Sequence, residues 1–161
     1  MTGPNVYGSD WDVTFSGVGM ASITRAGGAE LLGATVYELE PGAKWADLHI
    51  HYANEELIVV LAGAPTVHTL EESRELAPGE VVVCPRGRRG AHRLENARSE
   101  VARVLIVSTT LMPEIVEYPE RDDVFVMTEA PYTEGANDPV QHGRILRVFD
   151  RAEGRPVPPD G

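Results

Sequence analysis

Between Ala34 and Ser108 the chain is cut by turn signals at Pro41-Gly42, Ala62-Gly63, Pro78-Gly79 and Pro85-Arg86-Gly87, leaving only short apolar runs between them. Runs of this length, rich in valine and isoleucine, form strands, and nothing among them keeps a helical period over ten residues. The expected strands are Ala34 to Glu40, Leu48 to His51, Glu56 to Leu61, Pro65 to Leu70, Glu80 to Cys84, Gly90 to Glu95 and Val101 to Ser108. Strands so closely spaced close into a β-sandwich or barrel.

Upstream, Asp12 to Phe15 and Val18 to Thr24 supply further strands, with a loop over Arg25 to Glu30. Downstream the texture changes. Met112 to Arg121 is expected to hold one turn of helix, Val124 to Thr128 and Arg144 to Phe149 are expected strands, and the tail Arg151 to Gly161 is expected to be irregular. With 161 residues in all, one domain spanning 1–161 is expected, with its core over 34–108 and a carboxy-terminal extension over 112–161.

Fourteen basic residues against 25 acidic ones give a net charge of −11, which repels phosphate backbones and anionic membranes; neither nucleic acid nor membrane is an expected partner. The longest apolar run, Leu57 to Ala62, is far short of the roughly 18 to 20 residues of a membrane helix, and the expected location is cytoplasmic. Val18 to Thr24 and Val101 to Ser108 carry apolar residues on both parities, which predicts that one outer sheet face is covered, by the carboxy-terminal segment or by a second copy in a homodimer.

Cys84 is the only cysteine, so a metal site in one chain must be built from histidine and carboxylate. His49 and His51 share one face of a strand, and residues two apart lie about 6.6 to 7 Å from each other, close enough for two imidazoles to converge on one ion. A carboxylate from the next strand would complete an open two-histidine, one-carboxylate face, and His92 can close the set. Alternation puts Glu56, Ile58 and Val60 on one face and Glu55, Leu57, Val59 and Leu61 on the other; both are apolar, so parity does not choose between the two glutamates.

These residues fall into two linked patterns. Gly42, His49, His51, Glu56 and Gly63 form the first, and Gly79, Pro85, Gly87, His92 and Asn96 the second. Together they resemble the paired motifs of the cupin superfamily. The departures are six residues instead of five between Gly42 and His49, and four instead of two between Gly87 and His92, both in loops. The stretch Arg25 to Gly33 and the tripeptide Glu117-Tyr118-Pro119 are similar to a group of small bacterial single-domain cupins of unassigned role.

The resemblance implies an all-β double-stranded β-helix, a jelly-roll barrel, holding one divalent metal on His49, His51, Glu56 and His92. It also selects Glu56 over Glu55, since six residues separate Glu56 from the closing Gly63. Glu55 should then face solvent or pair with an arginine such as Arg74. The donor set suits Fe(II), Mn(II), Ni(II), Co(II) or Zn(II).

Around this set, Arg86, Arg88, Arg89 and Arg93 crowd His92 and read either as an anion clamp for a substrate or as surface ion pairs. Cys84 reads as a buried inert thiol, His68 as a surface or supporting imidazole, and His142 as exposed in a loop. Two functional classes follow. One is a mononuclear metalloenzyme with oxygenase, isomerase or lyase chemistry on a small organic molecule; the other is a non-catalytic module that binds a sugar or another small molecule.

Overall fold

The computed structural model describes residues 4–24, 27–121, 123–128 and 146–150. Among the described residues thirteen strands run in chain order: β1 Val13–Phe15, β2 Val18–Ser22, β3 Leu32–Leu39, β4 Lys44–His51, β5 Glu56–Ala62, β6 Thr66–His68, β7 Ser73–Glu75, β8 Val81–Cys84, β9 His92–Glu95, β10 Ala102–Thr109, β11 Glu114–Tyr118, β12 Asp123–Met127 and β13 Leu146–Asp150. A 3₁₀ turn, Arg88–Gly90, precedes β9. All pairings are antiparallel, in one sheet ordered β1-β2-β3-β10-β5-β8 and a second ordered β13-β12-β11-β4-β9-β6-β7. No helix among the described residues is long and apolar enough to cross a membrane.

Alternation decides which side chains meet between the sheets. Register sets Tyr37 opposite Val104 and Leu39 opposite Ala102, with Ile58 and Val60 following on β5; these pack with Val67 and Leu94 of the second sheet. Leu39, Ile58, Leu94 and Val104 are fully buried. The turn after β5 depends on Gly63, whose φ is +73°; a Cβ there would sit 2.5 Å from the Val101 carbonyl oxygen.

The seven core strands appear where expected, with ends shifted by a few residues. The strand expected over Pro65 to Leu70 shortens to β6, and that expected from Gly90 begins at His92, because Arg88–Gly90 winds into the 3₁₀ turn. The helical turn expected in Met112 to Arg121 is instead β11. It lies between β12 and β4, and ladder bonds to two neighbours satisfy its backbone better than one isolated helical turn. Strand β7, which carries no apolar residue, was not anticipated. Within the loop expected at Arg25 to Glu30, Arg25 and Ala26 lie outside the described residues, as do His142 and the tail from Arg151.

Candidate metal centre

The register of β4 against β9 sets His49 directly opposite His92, and His51 follows two residues along the same face. Their rings gather closely: His49 lies 4.5 Å from His92 and 4.9 Å from His51 between centroids. Glu56 arrives from the other sheet at the start of β5, with Cys84 of β8 and Ser108 of β10 as its cross-strand partners. The candidate ligand atoms of His49, His51 and Glu56 all lie within 4.8 Å of one another. His92 joins them through Glu56, its Nε2 being 2.9 Å from Oε2, while His51 Nε2 is 3.8 Å from Oε1. All four predicted residues thus come together.

Two of the rings are anchored from behind. His49 Nδ1 is 2.8 Å from the Asp47 carbonyl oxygen and His92 Nδ1 is 2.9 Å from that of Gly90. A neutral imidazole that donates from Nδ1 offers its Nε2 lone pair to the interior. The Gly90 anchor is tightly built, since a Cβ on Gly90 would fall 1.7 Å from the Pro85 carbonyl oxygen. Opening is graded across the cluster. His49 and His92 are nearly sealed, whereas the side chains of His51 and Glu56 keep 19% and 15% of their exposure, so access is from their side.

Burial, with His92 and His51 beside it, pushes the His49 imidazolium down to about 3. Burial alone would raise the Glu56 carboxyl, but the hydrogen bond from His92 and the neighbouring imidazoles bring it down to about 2. Burial likewise opposes charge on His92, and Cys84 and Glu56 overcome it, raising His92 to about 10. At neutral pH the metal-free cluster is therefore an ionised Glu56 hydrogen-bonded to a protonated His92, beside a neutral His49. A cation held here displaces that shared proton. Three imidazole nitrogens and one carboxylate, two of the rings fixed in the tautomer a ligand needs, fit a divalent transition metal.

Next to His49 stands Tyr118 of β11, at 6.0 Å between centroids, backed by Phe125 at 5.3 Å and by the Arg121 guanidinium at 4.8 Å. Burial raises the Tyr118 phenol above its ordinary value, so it keeps its proton at neutral pH. Arg121 is held in turn by Asp47 and Asp123.

Other predicted residues fall outside the cluster. Glu55 is exposed, and Arg74 pairs with Glu80. Arg86, Arg88 and Arg89 are exposed around the 3₁₀ turn; Arg88 lies 3.7 Å from Glu117, and Arg93, on the opposite parity from His92, pairs with Glu120 at 3.1 Å. His68 lies between the Ser73 hydroxyl at 2.7 Å and Glu95 at 3.2 Å.

Two further residues, Cys84 and Glu114, adjoin the cluster. Cys84 is buried, as expected, yet it stands opposite Glu56 with its thiol against His92, so it borders the site. Glu114, 1% exposed, has Oε2 3.8 Å from His51 Nδ1. The run Val81 to Cys84 is apolar on both parities, so the sequence does not show that Cys84 turns inward while Val81 and Val83 stay exposed. No local signal marks Glu114.

Residues 35–108 match the family model described as a cupin domain. Solved structures share the fold. A sugar phosphate isomerase of the cupin superfamily from Silicibacter pomeroyi is 24% identical with a TM-score of 0.72, the match covering 89% of this chain and 82% of that one. A protein from Acidithiobacillus ferrooxidans, provisionally assigned the same activity, is 23% identical with a TM-score of 0.72, covering 88% and 81%. A polyketide cyclase from Streptomyces resistomycificus is 24% identical with a TM-score of 0.52, covering 58% and 65%. No curated protein gives a significant match.

Proposed function

We propose that the chain is a mononuclear metal-dependent enzyme acting on a small organic molecule, its ion held by His49, His51, Glu56 and His92. The observation that carries this reading is the anchored geometry: imidazoles from β4 and β9 meet a carboxylate from the opposite sheet, and the Nδ1 atoms of His49 and His92 are tied to backbone carbonyls. Buried charge arranged this way costs stability unless it is paired or coordinates a metal. When bound, the ion supplies Lewis-acid polarisation of a substrate oxygen and, at a redox-active metal, electron transfer.

The chain's own groups then have distinct parts. Glu56 provides the anionic donor that offsets the cation's charge. His92 gives up its proton as the ion enters, and the neutral His49 needs no proton removed. Tyr118, which stays a neutral phenol, packs its aromatic face beside His49. Fe(II), Mn(II), Ni(II), Co(II) and Zn(II) all suit the donors.

The test is elemental analysis of protein purified without added metal, followed by loading with each of the five ions and a screen of turnover on small hydroxy acids, keto acids and sugar phosphates. Uptake of about one ion per chain is expected, with turnover lost in His92→Ala. A chain that takes up none of the five ions and melts unchanged in chelator refutes the metal site. One that binds an ion and a ligand without converting it refutes the enzyme and leaves a binding module.

A further inference from the structure

Deepening the metal-site reading, on which it rests, we propose that Glu114 is the positioning carboxylate of His51: it fixes the His51 proton on Nδ1 and so turns Nε2 into a metal donor. The three histidines of the cluster need the same preparation, and two receive it from backbone carbonyls, Asp47 for His49 and Gly90 for His92. Among the described residues, His51 Nδ1 is buried with no hydrogen-bond partner. The acceptor facing it is Glu114 Oε2, at 3.8 Å, and an approach of about 1 Å makes a charge-assisted hydrogen bond.

Glu114 is built for this place. Its Oε1 accepts the backbone N–H groups of Tyr52 at 3.1 Å, Ala53 at 3.2 Å and Ile115 at 2.9 Å, and its Oε2 accepts from the Asn54 side-chain amide. Asn54 is itself buried and fixed, donating to the Leu111 carbonyl at 2.9 Å and accepting from the Leu111 N–H at 2.6 Å and the Thr109 hydroxyl at 3.0 Å. A carboxylate so enclosed is expensive to bury, and among the described residues its one ion-pair partner is His51. The charge is therefore delivered to the back of one imidazole.

An anionic partner does more than a carbonyl. It fixes the tautomer and also raises the basicity of the ligating nitrogen. His51 is the least buried of the three imidazoles, on the side from which the cluster is reached, so it is the ring with the least packing to hold its orientation. It is also the one whose Nδ1 faces a carboxylate and not a backbone carbonyl. Glu114 lies on β11, beyond the segment that carries the paired motifs, and reaches His51 because β11 pairs with β4 at Val116 and His51.

The experiment uses the full chain with Zn(II) as the probe. Long-range ¹⁵N–¹H correlation of the histidine rings, in metal-free and zinc-loaded wild type, reads the His51 tautomer directly. The dissociation constant for zinc is measured against a chromophoric chelator for wild type, Glu114→Gln, His51→Ala and the exposed control Glu55→Gln. The expected result is His51 protonated on Nδ1 in both states, zinc affinity weakened about 10- to 100-fold in Glu114→Gln, and no change in the control. A fall in metal-free melting temperature with unchanged zinc affinity would make Glu114 merely structural and overturn the proposal. If Glu114→Gln does not fold, the wild-type tautomer decides, and a His51 proton on Nε2 overturns it. If wild type takes up no zinc, the metal-site reading fails separately, while the metal-free tautomer still tests Glu114.

Discussion

Replacing Glu56 by glutamine removes one charge and almost no volume, so its effects report electrostatics alone. In the metal-free chain Glu56 holds the protonated His92 through a 2.9 Å hydrogen bond. Breaking a buried pair by removing one partner costs about 3–5 kcal/mol. Here His92 can shed its proton and Cys84 still supports it, so the loss should sit at the lower end, about 3 kcal/mol. For a chain of this length that corresponds to a fall in melting temperature of roughly 6–12 °C. Metal content should fall as well, because a neutral amide is a poor substitute for the anionic donor. Glu55→Gln, one residue away on an exposed side chain, should change neither by more than about 0.5 kcal/mol. Differential scanning calorimetry in chelator gives the first readout and elemental analysis the second. Metal retained in Glu56→Gln and lost in Glu55→Gln would refute the assignment of the inward face of β5.

Zinc at 100 times its dissociation constant should raise stability by about 2.7 kcal/mol, and titration calorimetry in buffers of different ionisation enthalpy at pH 7.5 should show about one proton released per ion; no release would contradict a protonated His92. Metal-free stability should peak near neutral pH. The Glu56 carboxyl sits below the ordinary value, so its contribution is complete above pH 4.5 and is lost as pH falls toward 2, and Glu114, lowered as well, adds in the same direction. The lowered His49 disfavours folding from pH 6.5 down to about 3, and the raised His92 contributes below 6.5 and is lost as pH rises toward 10. Urea unfolding at pH 4, 7 and 9.5 checks this, and stability that climbs steadily to 9.5 would refute it. Gly90→Ala should destabilise by about 3 kcal/mol, because its Cβ would meet the rigid Pro85 carbonyl rather than a movable side chain; a neutral result by urea unfolding would show that the turn can shift. We propose a homodimer through the outer face of the first sheet, where Val81 and Val83 are 49% and 65% exposed; light scattering that gives a mass near 17.5 kDa would refute it.

The gathering of His49, His51, Glu56 and His92 was legible because strand alternation and two spaced motifs act locally. His49 and His51 share a face by parity, and the short connection over 52–55 carries the chain across to the other sheet, where Glu56 opens β5. What escaped detection depends on contacts distant in sequence. The segment around β11 has buried charges, Glu114 and Glu117, at positions where a strand usually shows apolar residues, so its pattern does not announce a strand. β7 is exposed along its whole length and offers no apolar alternation to read.

Glu114 shows why such residues stay hidden. Its partner Asn54 is 60 residues away in the chain, and what makes its burial tolerable is a set of backbone N–H groups that exist as a cradle only once β4 and β11 have paired. Sequence reports a side chain's chemistry but not the directions of main-chain donors around it, and for a buried carboxylate those directions decide whether it is a liability or a support. Cys84 is hidden differently. The run Val81-Val82-Val83-Cys84 is apolar on both parities, and only the pairing of Cys84 with Glu56 turns the thiol toward His92. The four candidate ligands belong to the motif, whereas the groups beside them come from the register of strands on either side. The reactivity of the centre should therefore respond to substitutions on β8 and β11 that leave all four ligands intact.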